Sequence, residues 1–195
     1  MPWLKPGVLV GALVPVAAIA LGAWRGELGA DPIAQALNQL GLVALVFLVA
    51  ALACTPLKAL FGWTWPIRLR RMLGVLAFTY AALHVTTYVA LDQTFAWAAI
   101  FADVVKRKFI FLGFAAFVTL IPLAVTSTNA SVKRLGFVRW KQLHRLAYLA
   151  PALAVLHFVW RVKKDVSEPA VYGAVLAALL LTRVAAALDS RRSAA

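Results

Sequence analysis

Three histidines, His84, His144 and His157, are the residues of this chain whose type and setting point to chemistry. Each lies within or at the edge of a long apolar segment. An ionisable side chain inside membrane hydrocarbon costs about 2 to 4 kcal/mol, so it usually has a partner or a task there. Imidazole is a common ligand of haem iron and can also relay protons. The histidines therefore predict a metal site or a proton path, with simple hydrogen bonding between helices as the plainer alternative.

The composition indicates an integral membrane protein. Hydrophobic residues make up 64% of the 195 residues and charged residues only 14%, whereas soluble domains carry about a quarter charged residues. A spanning helix needs about 20 mostly apolar residues. We therefore expect an all-α, six-helix membrane bundle that forms a single domain over residues 1–195, with helices near 7–24, 37–56, 71–90, 109–126, 141–160 and 170–188.

Several classes of function are disfavoured by the residues themselves. The net charge of +13 is divided among short loops between apolar segments, which is typical of topology signals and lipid contacts and argues against nucleic acid. A single cysteine, Cys54, excludes an internal disulfide and a cysteine-held cluster. No G-x-G pair occurs among the eleven glycines, so no dinucleotide or phosphate loop is expected.

The basic residues predict the orientation of the helices. With the N-terminus inside, 13 Lys and Arg residues fall on the cytoplasmic side and 7 on the outer side, which favours cytoplasmic termini. An alternative for the first helix is a cleaved signal peptide, because Ala18-Ile19-Ala20 resembles a cleavage site. The outer run Lys106-Arg107-Lys108 is expected to be a solvated or lipid-contacting loop, or else to meet an acidic partner or haem propionates.

Depth in the membrane separates the three histidines. At 1.5 Å per residue, His84 lies about 20 Å and His157 about 24 Å from the inner face, but His144 lies only about 4 Å from it. His84 and His157 are therefore predicted to face each other across the bundle and to hold one haem iron from both sides. His144 is too shallow to oppose His84, and an ideal helix would not place it on the face of His157, although a kink at Pro151 would relax that objection.

A set of motifs along most of the chain resembles the MsrQ family, also called YedZ. This family comprises the haem-binding membrane subunits of the MsrPQ methionine sulfoxide reductase system, within the ferric reductase-like transmembrane group. The resemblance is tightest between residues 68 and 160. It is carried by Arg68–Gly74, Ala77–His84 with Tyr88, Asp103–Ile110, Pro122–Ser127, Lys133–Gly136, Trp140–His144, Leu146–Tyr148, His157 and Trp160.

The resemblance implies a six-helix cytochrome b of the bacterial inner membrane. Such a protein is an electron-transfer subunit and not the catalytic subunit. It passes electrons from the quinol pool or a separate cytosolic flavin reductase to MsrP, a periplasmic molybdenum-cofactor enzyme that reduces methionine sulfoxide in oxidised proteins. The family is described as binding haem b and FMN, and its three histidines match His84, His144 and His157. By resemblance and depth together, His84 and His157 are the axial ligands, and His144 serves a second haem or an alternative ligation.

Some points stay open at the level of the sequence. The FMN site is not assigned, although the basic clusters Arg68–Arg71 and Lys133–Lys141 could bind its phosphate. Lys108 replaces the proline that usually ends the Lys-Arg-Pro run of the family, which changes how the next helix starts. A ferric reductase with another acceptor, a histidine-containing proton-coupled transporter and a passive membrane anchor remain alternatives.

Overall fold

The computed structural model describes residues 3–162 and 164–192, so residues 1–2, 163 and 193–195 of the predicted domain lie outside this description. Within the described part, the chain forms nine α-helices, a 3₁₀ turn at Pro66–Arg68 and a π-helical turn at Tyr88–Asp92. The helices are α1 (Leu4–Arg25), α2 (Pro32–Phe61), α3 (Arg70–Thr87), α4 (Trp97–Lys106), α5 (Lys108–Val125), α6 (Asn129–Leu135), α7 (Phe137–Leu143), α8 (Leu146–Arg161) and α9 (Ser167–Arg192).

Six segments of the described chain are long and apolar enough to cross a membrane, and no strand occurs there. The predicted all-α, six-helix membrane bundle is thereby confirmed, and the protein is a multi-pass membrane protein. The six spans are Leu4–Arg25, Pro32–Phe61, Arg70–Asp92, Lys108–Val125, Phe137–Arg161 and Ser167–Ala186.

Consecutive spans run in opposite directions, so the starts of α2 and α5 lie beside the ends of α3 and α8. We call the end of the bundle that carries residues 26–31 and 93–107 the cavity end, and the end that carries residues 62–69 and 126–136 the opposite end. The most extensive contacts between helices are those of α2 with α3 and of α5 with α8. Ala77 on α3 and Ala150 on α8 are completely buried, and such small side chains allow close packing of membrane helices.

α2 extends beyond the predicted range 37–56 at both ends. Asp31 caps its first turn by accepting a hydrogen bond of 2.9 Å from the Ala34 amide, and Pro32 occupies the first helical position, where a missing N–H costs nothing. Gly62, with φ of 70°, ends the helix in the left-handed conformation. These cap residues set the helix length, whereas the prediction followed the apolar stretch alone.

The fifth span is not one continuous helix. A turn at His144 and Arg145 separates α7 from α8, where residues 141–160 were expected to form a single helix. Within this turn the Arg145 amide donates to the Gln142 carbonyl at 3.1 Å, a bond between residues three apart in the sequence. Pro151 lies inside α8 and is buried. The break is therefore at His144, and not at the proline considered from the sequence.

α4 is a short helix between the third and fourth spans, at the cavity end, which the sequence did not predict. Its side chains divide into two faces. Ile100 and Val104 are half-buried toward the bundle, whereas Trp97, Phe101 and Val105 are exposed. Both faces are apolar, so α4 packs on the bundle with one side and leaves the other side for contact with its surroundings. After it, α5 begins at Lys108, so the lysine starts this helix in place of a proline.

Arg183 of α9 connects the last helix to the rest of the bundle. Pro56 has no N–H, so the Leu52 carbonyl of α2 lacks its usual helical partner. The Arg183 guanidinium donates to this carbonyl at 2.7 Å and to the Tyr148 hydroxyl of α8 at 2.8 Å. In an apolar environment an unpaired carbonyl is costly, so this contact stabilises the packing of α9.

Candidate functional site

A cavity of about 450 Å³ lies between α2, α3, α5 and α8 and is flanked by α4. Its volume is within the range of about 300 to 1,000 Å³ that is usual for cofactor and ligand sites. Most of its wall is aliphatic or aromatic. The polar side chains on the wall are His84 and His157, which lie deeper, and a group at the cavity end formed by Asn38, Tyr88, Asp92, Arg107 and Arg161.

The structure brings His84 and His157 together across this cavity. His84 projects from α3 and His157 from α8, and their ring centroids are 6.2 Å apart with an interplanar angle of 85°. Both side chains line the cavity. The third and fifth spans start at the same end and run in parallel. Because each residue adds the same rise, the two histidines lie at a similar depth.

The Nδ1 atoms of both rings are held by backbone carbonyl groups. His84 Nδ1 lies 2.8 Å from the Leu37 carbonyl oxygen of α2, and His157 Nδ1 lies 2.6 Å from the Phe109 carbonyl oxygen of α5. Because a carbonyl oxygen only accepts, each Nδ1 carries the hydrogen and donates it. The neutral ring then leaves Nε2 without a hydrogen, which is the state in which imidazole binds a metal.

The two imidazoles fit the iron of a haem. Two imidazoles that bind one metal ion from opposite sides, each through a bond of about 2 Å, place their ring centroids about 6 Å apart. Among the described residues no group of three or more His, Cys, Asp or Glu side chains could hold a metal ion. A pair of histidines is nevertheless sufficient for haem, because the macrocycle supplies the remaining ligands to the iron.

Two arginines lie at the cavity end. Arg161, one turn after His157, donates to Asn38 Oδ1 at 2.6 Å. Arg107 forms an ion pair of 3.0 Å with Asp103, whose other oxygen accepts a hydrogen bond of 3.0 Å from the Tyr88 hydroxyl. Guanidinium groups bind carboxylates well, so this end suits the acidic edge of a cofactor. Of the basic run at residues 106–108, only Arg107 lines the cavity.

His144 does not join the other two histidines. It lies at the opposite end, where its Nε2 is 3.0 Å from the Thr126 hydroxyl and its ring stacks on Trp140 at 3.9 Å. The Thr126 hydroxyl donates to the Pro122 carbonyl at 2.6 Å, so it can only accept from His144. His144 Nε2 therefore carries the hydrogen, the reverse of the arrangement in His84 and His157.

The site also contains features that the sequence analysis missed. Asn38 and Arg161 form a hydrogen bond between two apolar helices. The two residues are 123 positions apart in the chain, so the sequence did not indicate this contact. The π-helical turn Tyr88–Asp92 follows directly after the helix of His84 and places Tyr88 and Asp92 on the cavity wall. Turns of this kind inside helices are frequent at functional sites.

Comparison with known proteins connects this chain to a family. The family model described as ferric reductase like transmembrane component matches residues 39–155, from α2 into α8, and ends just before His157. The chain is 48% identical over 186 residues to the protein-methionine-sulfoxide reductase heme-binding subunit MsrQ of Rhodospirillum rubrum, which covers 95% of this chain and 89% of that protein.

Further relatives carry the same name. Identity to the MsrQ subunit of Deinococcus radiodurans is 50% over 182 residues, with 93% of this chain and 90% of that protein covered. Identity to the MsrQ subunit of Herminiimonas arsenicoxydans is 49% over 183 residues, with 93% and 84% covered. The resemblance that the sequence motifs indicated is confirmed by these matches.

Proposed function

We propose, since this chain belongs to the family of ferric reductase like transmembrane components and within it to the MsrQ subunits, that it is a haem b electron carrier of a methionine sulfoxide reductase system. His84 and His157 would be the axial ligands of the haem iron. The observation that carries this proposal is the pair of imidazoles 6.2 Å apart, each with Nδ1 bound to a carbonyl and Nε2 left for a metal. The names of the relatives, which describe heme-binding subunits, support the cofactor.

The proposed activity is electron relay. When bound, haem b supplies reversible one-electron chemistry at its iron. His84 and His157 would hold the iron through their Nε2 atoms, so no position on the metal would remain for a substrate. The apolar wall of the cavity keeps water away, while Arg107 and Arg161 would bind the propionate carboxylates at the cavity end. Backbone carbonyls as the partners of Nδ1 cannot pass protons onward, which disfavours a proton relay through this pair.

The direction of transfer follows from the proposed orientation. We place the cavity end at the periplasmic face and the opposite end, with both termini, in the cytoplasm of a bacterium, because most basic residues belong to the opposite end. Electrons would then pass from the quinol pool or a cytosolic flavin reductase to a periplasmic methionine sulfoxide reductase of the MsrP type. A position of the haem near the cavity end shortens the path to such an acceptor.

FMN is a second proposed cofactor, at the opposite end. The basic clusters Arg68–Arg71 and Lys133–Lys141 both belong to this end, and most of their charged side chains are exposed. Arg71 donates to Asn129 at 2.8 Å and so connects the beginning of α3 to the beginning of α6. A phosphate would bind there by charge-assisted hydrogen bonds. His144 lies at the same end and is proposed as the ligand of a second haem or as an alternative ligand.

The decisive experiment is a reduced-minus-oxidised visible spectrum of the purified protein, expressed with ample haem supply. We expect a sharp reduced α-band and an intense Soret band, as a haem with two histidine ligands gives. A protein without these bands would contradict the proposal.

The acceptor is tested with the reduced protein. Reoxidation by MsrP in the presence of methionine sulfoxide, with slow reoxidation by ferric citrate, would support the proposed acceptor. Rapid reoxidation by ferric citrate and none by MsrP would instead establish a transmembrane ferric reductase, which is the alternative within the same family.

A further inference from the structure

Two glycines lie against the rings of the proposed haem ligands. Gly41 of α2 is four residues after Leu37, and Gly113 of α5 is four residues after Phe109. Leu37 and Phe109 are the residues whose carbonyls accept from His84 and His157. The two halves of the site therefore share one arrangement, in which a helix offers a carbonyl to an imidazole and has a glycine one turn later.

The space at each glycine is occupied by the imidazole itself. A Cβ added at Gly41 would lie 3.2 Å from His84 Nδ1 and 3.3 Å from its Cε1. A Cβ added at Gly113 would lie 2.8 Å from His157 Nδ1 and 2.9 Å from its Cε1. The second pair of distances is too short for any real contact, so an alanine at Gly113 requires the ring to move.

Other helical glycines of the chain do not share this setting. A Cβ at Gly74, which lies on α3 with His84, would meet nothing within 4 Å, and a Cβ at Gly173 would meet Val155 at an ordinary 3.6 Å. Glycine inside a helix is less stable than alanine by about 1 kcal/mol. At Gly41 and Gly113, unlike Gly74, close packing of a ring gives a physical reason for that cost.

We propose that Gly41 and Gly113 are positioning residues for the axial ligands, an inference that rests on the proposed haem site. Each glycine allows the Nδ1–Cε1 edge of an imidazole to lie close against the neighbouring helix, so that Nδ1 reaches the carbonyl and Nε2 is left for the cavity. A hydrogen bond from Nδ1 to a carbonyl makes the imidazole a stronger electron donor to iron, which favours the oxidised state. The glycines therefore contribute to ligand orientation and to a low reduction potential.

The test compares Gly113→Ala, Gly41→Ala and Gly74→Ala in the purified, haem-loaded protein. We expect Gly113→Ala to retain less haem than wild type, and its remaining haem to show altered low-spin EPR g values and a more positive midpoint potential. Gly41→Ala should shift the same quantities in the same direction by less, because its closest contact is longer. Gly74→Ala should match wild type, since it gains the same helix propensity without a contact.

Circular dichroism and a monodisperse elution profile establish that each variant is folded. If Gly113→Ala does not fold, the shift in Gly41→Ala decides the question. Wild-type g values and potential in a folded Gly113→Ala, or in Gly41→Ala where Gly113→Ala fails to fold, would overturn the role of the glycines and leave the haem site intact. A wild-type protein without low-spin haem would overturn the proposed function itself.

Discussion

His84 and His157 at one site and His144 at another differ in which ring nitrogen is available. In the first two, Nδ1 donates to a backbone carbonyl and Nε2 is left for the cavity. In His144, Nε2 is bound to Thr126 and the ring is stacked on Trp140. The residue type is the same in all three cases, so the neighbouring helices decide which nitrogen can bind a metal.

A position in a membrane-spanning segment therefore does not by itself make a histidine available to a metal. All three histidines belong to spanning segments, and each has its own hydrogen-bond partner, so none is an orphaned polar group. At the pair, the proposed iron binding would leave the hydrogen bonds from Nδ1 to the backbone carbonyls in place. His144 would first have to give up its bond to Thr126, or use Nδ1, before it bound a second haem.

The largest effect is expected from loss of either member of the pair. His84→Ala or His157→Ala would remove one of the two proposed ligands, and the low-spin haem spectrum should disappear or become severely weakened. His144→Ala is the matched control, and the spectrum of the haem held by the pair should persist in it. Visible and EPR spectra of the three purified variants measure this. Equal loss of that haem in all three variants would remove the distinction between the sites.

An intermediate effect is expected at Arg161. Arg161→Gln removes one of the two guanidinium groups that line the cavity. The affinity for haem should fall about tenfold, in line with the loss of one charge-assisted hydrogen bond. The positions of the absorption bands should not change, because His84 and His157 remain. Transfer of haem to an apo-globin acceptor measures the rate of loss. Lys106→Gln, at a cation that does not line the cavity, is the control and should lose haem at the wild-type rate.

The smallest effect on haem is expected from Thr126→Val. Valine keeps the shape of threonine but cannot accept from His144, so an N–H group loses its partner and stability should fall by about 1 kcal/mol. The haem held by the pair should be unaffected, because this site is at the other end of the bundle. Denaturation midpoints measure the change in stability, and visible spectra of the same sample measure the haem held by the pair. A changed potential of that haem would show that the two sites are coupled.

The number of spanning helices could be predicted from the sequence, because charged residues interrupt each apolar stretch. The similar depth of His84 and His157 also followed, since it needs only the rise per residue. α4 was missed because it is too short for a span, although Trp97, Phe101 and Val105 recur every four residues. That spacing is the signal that would have revealed it.

The hydrogen-bond partners, turns and glycines of the site depend on contacts between segments that are distant in the chain. Such contacts could not be predicted from the sequence alone. Leu37 and Phe109 act through backbone carbonyls, so their side chains give no indication of the role. The turn at His144 and the π-helical turn at Tyr88–Asp92 interrupt segments whose apolar composition alone predicts continuous helices. Gly41 and Gly113 stand out only once the imidazoles are known to lie beside them.

The contact of Arg183 with the Leu52 carbonyl has a consequence for the order of assembly. α2 is synthesised before α9, so the Leu52 carbonyl has neither a helical N–H nor this guanidinium as a partner until the last helix is made. The same guanidinium binds Tyr148 of α8, the helix that carries His157. Insertion of the final helix thus completes the bundle, and a ribosome that stops before Arg183 leaves a chain with the histidines present and this contact missing.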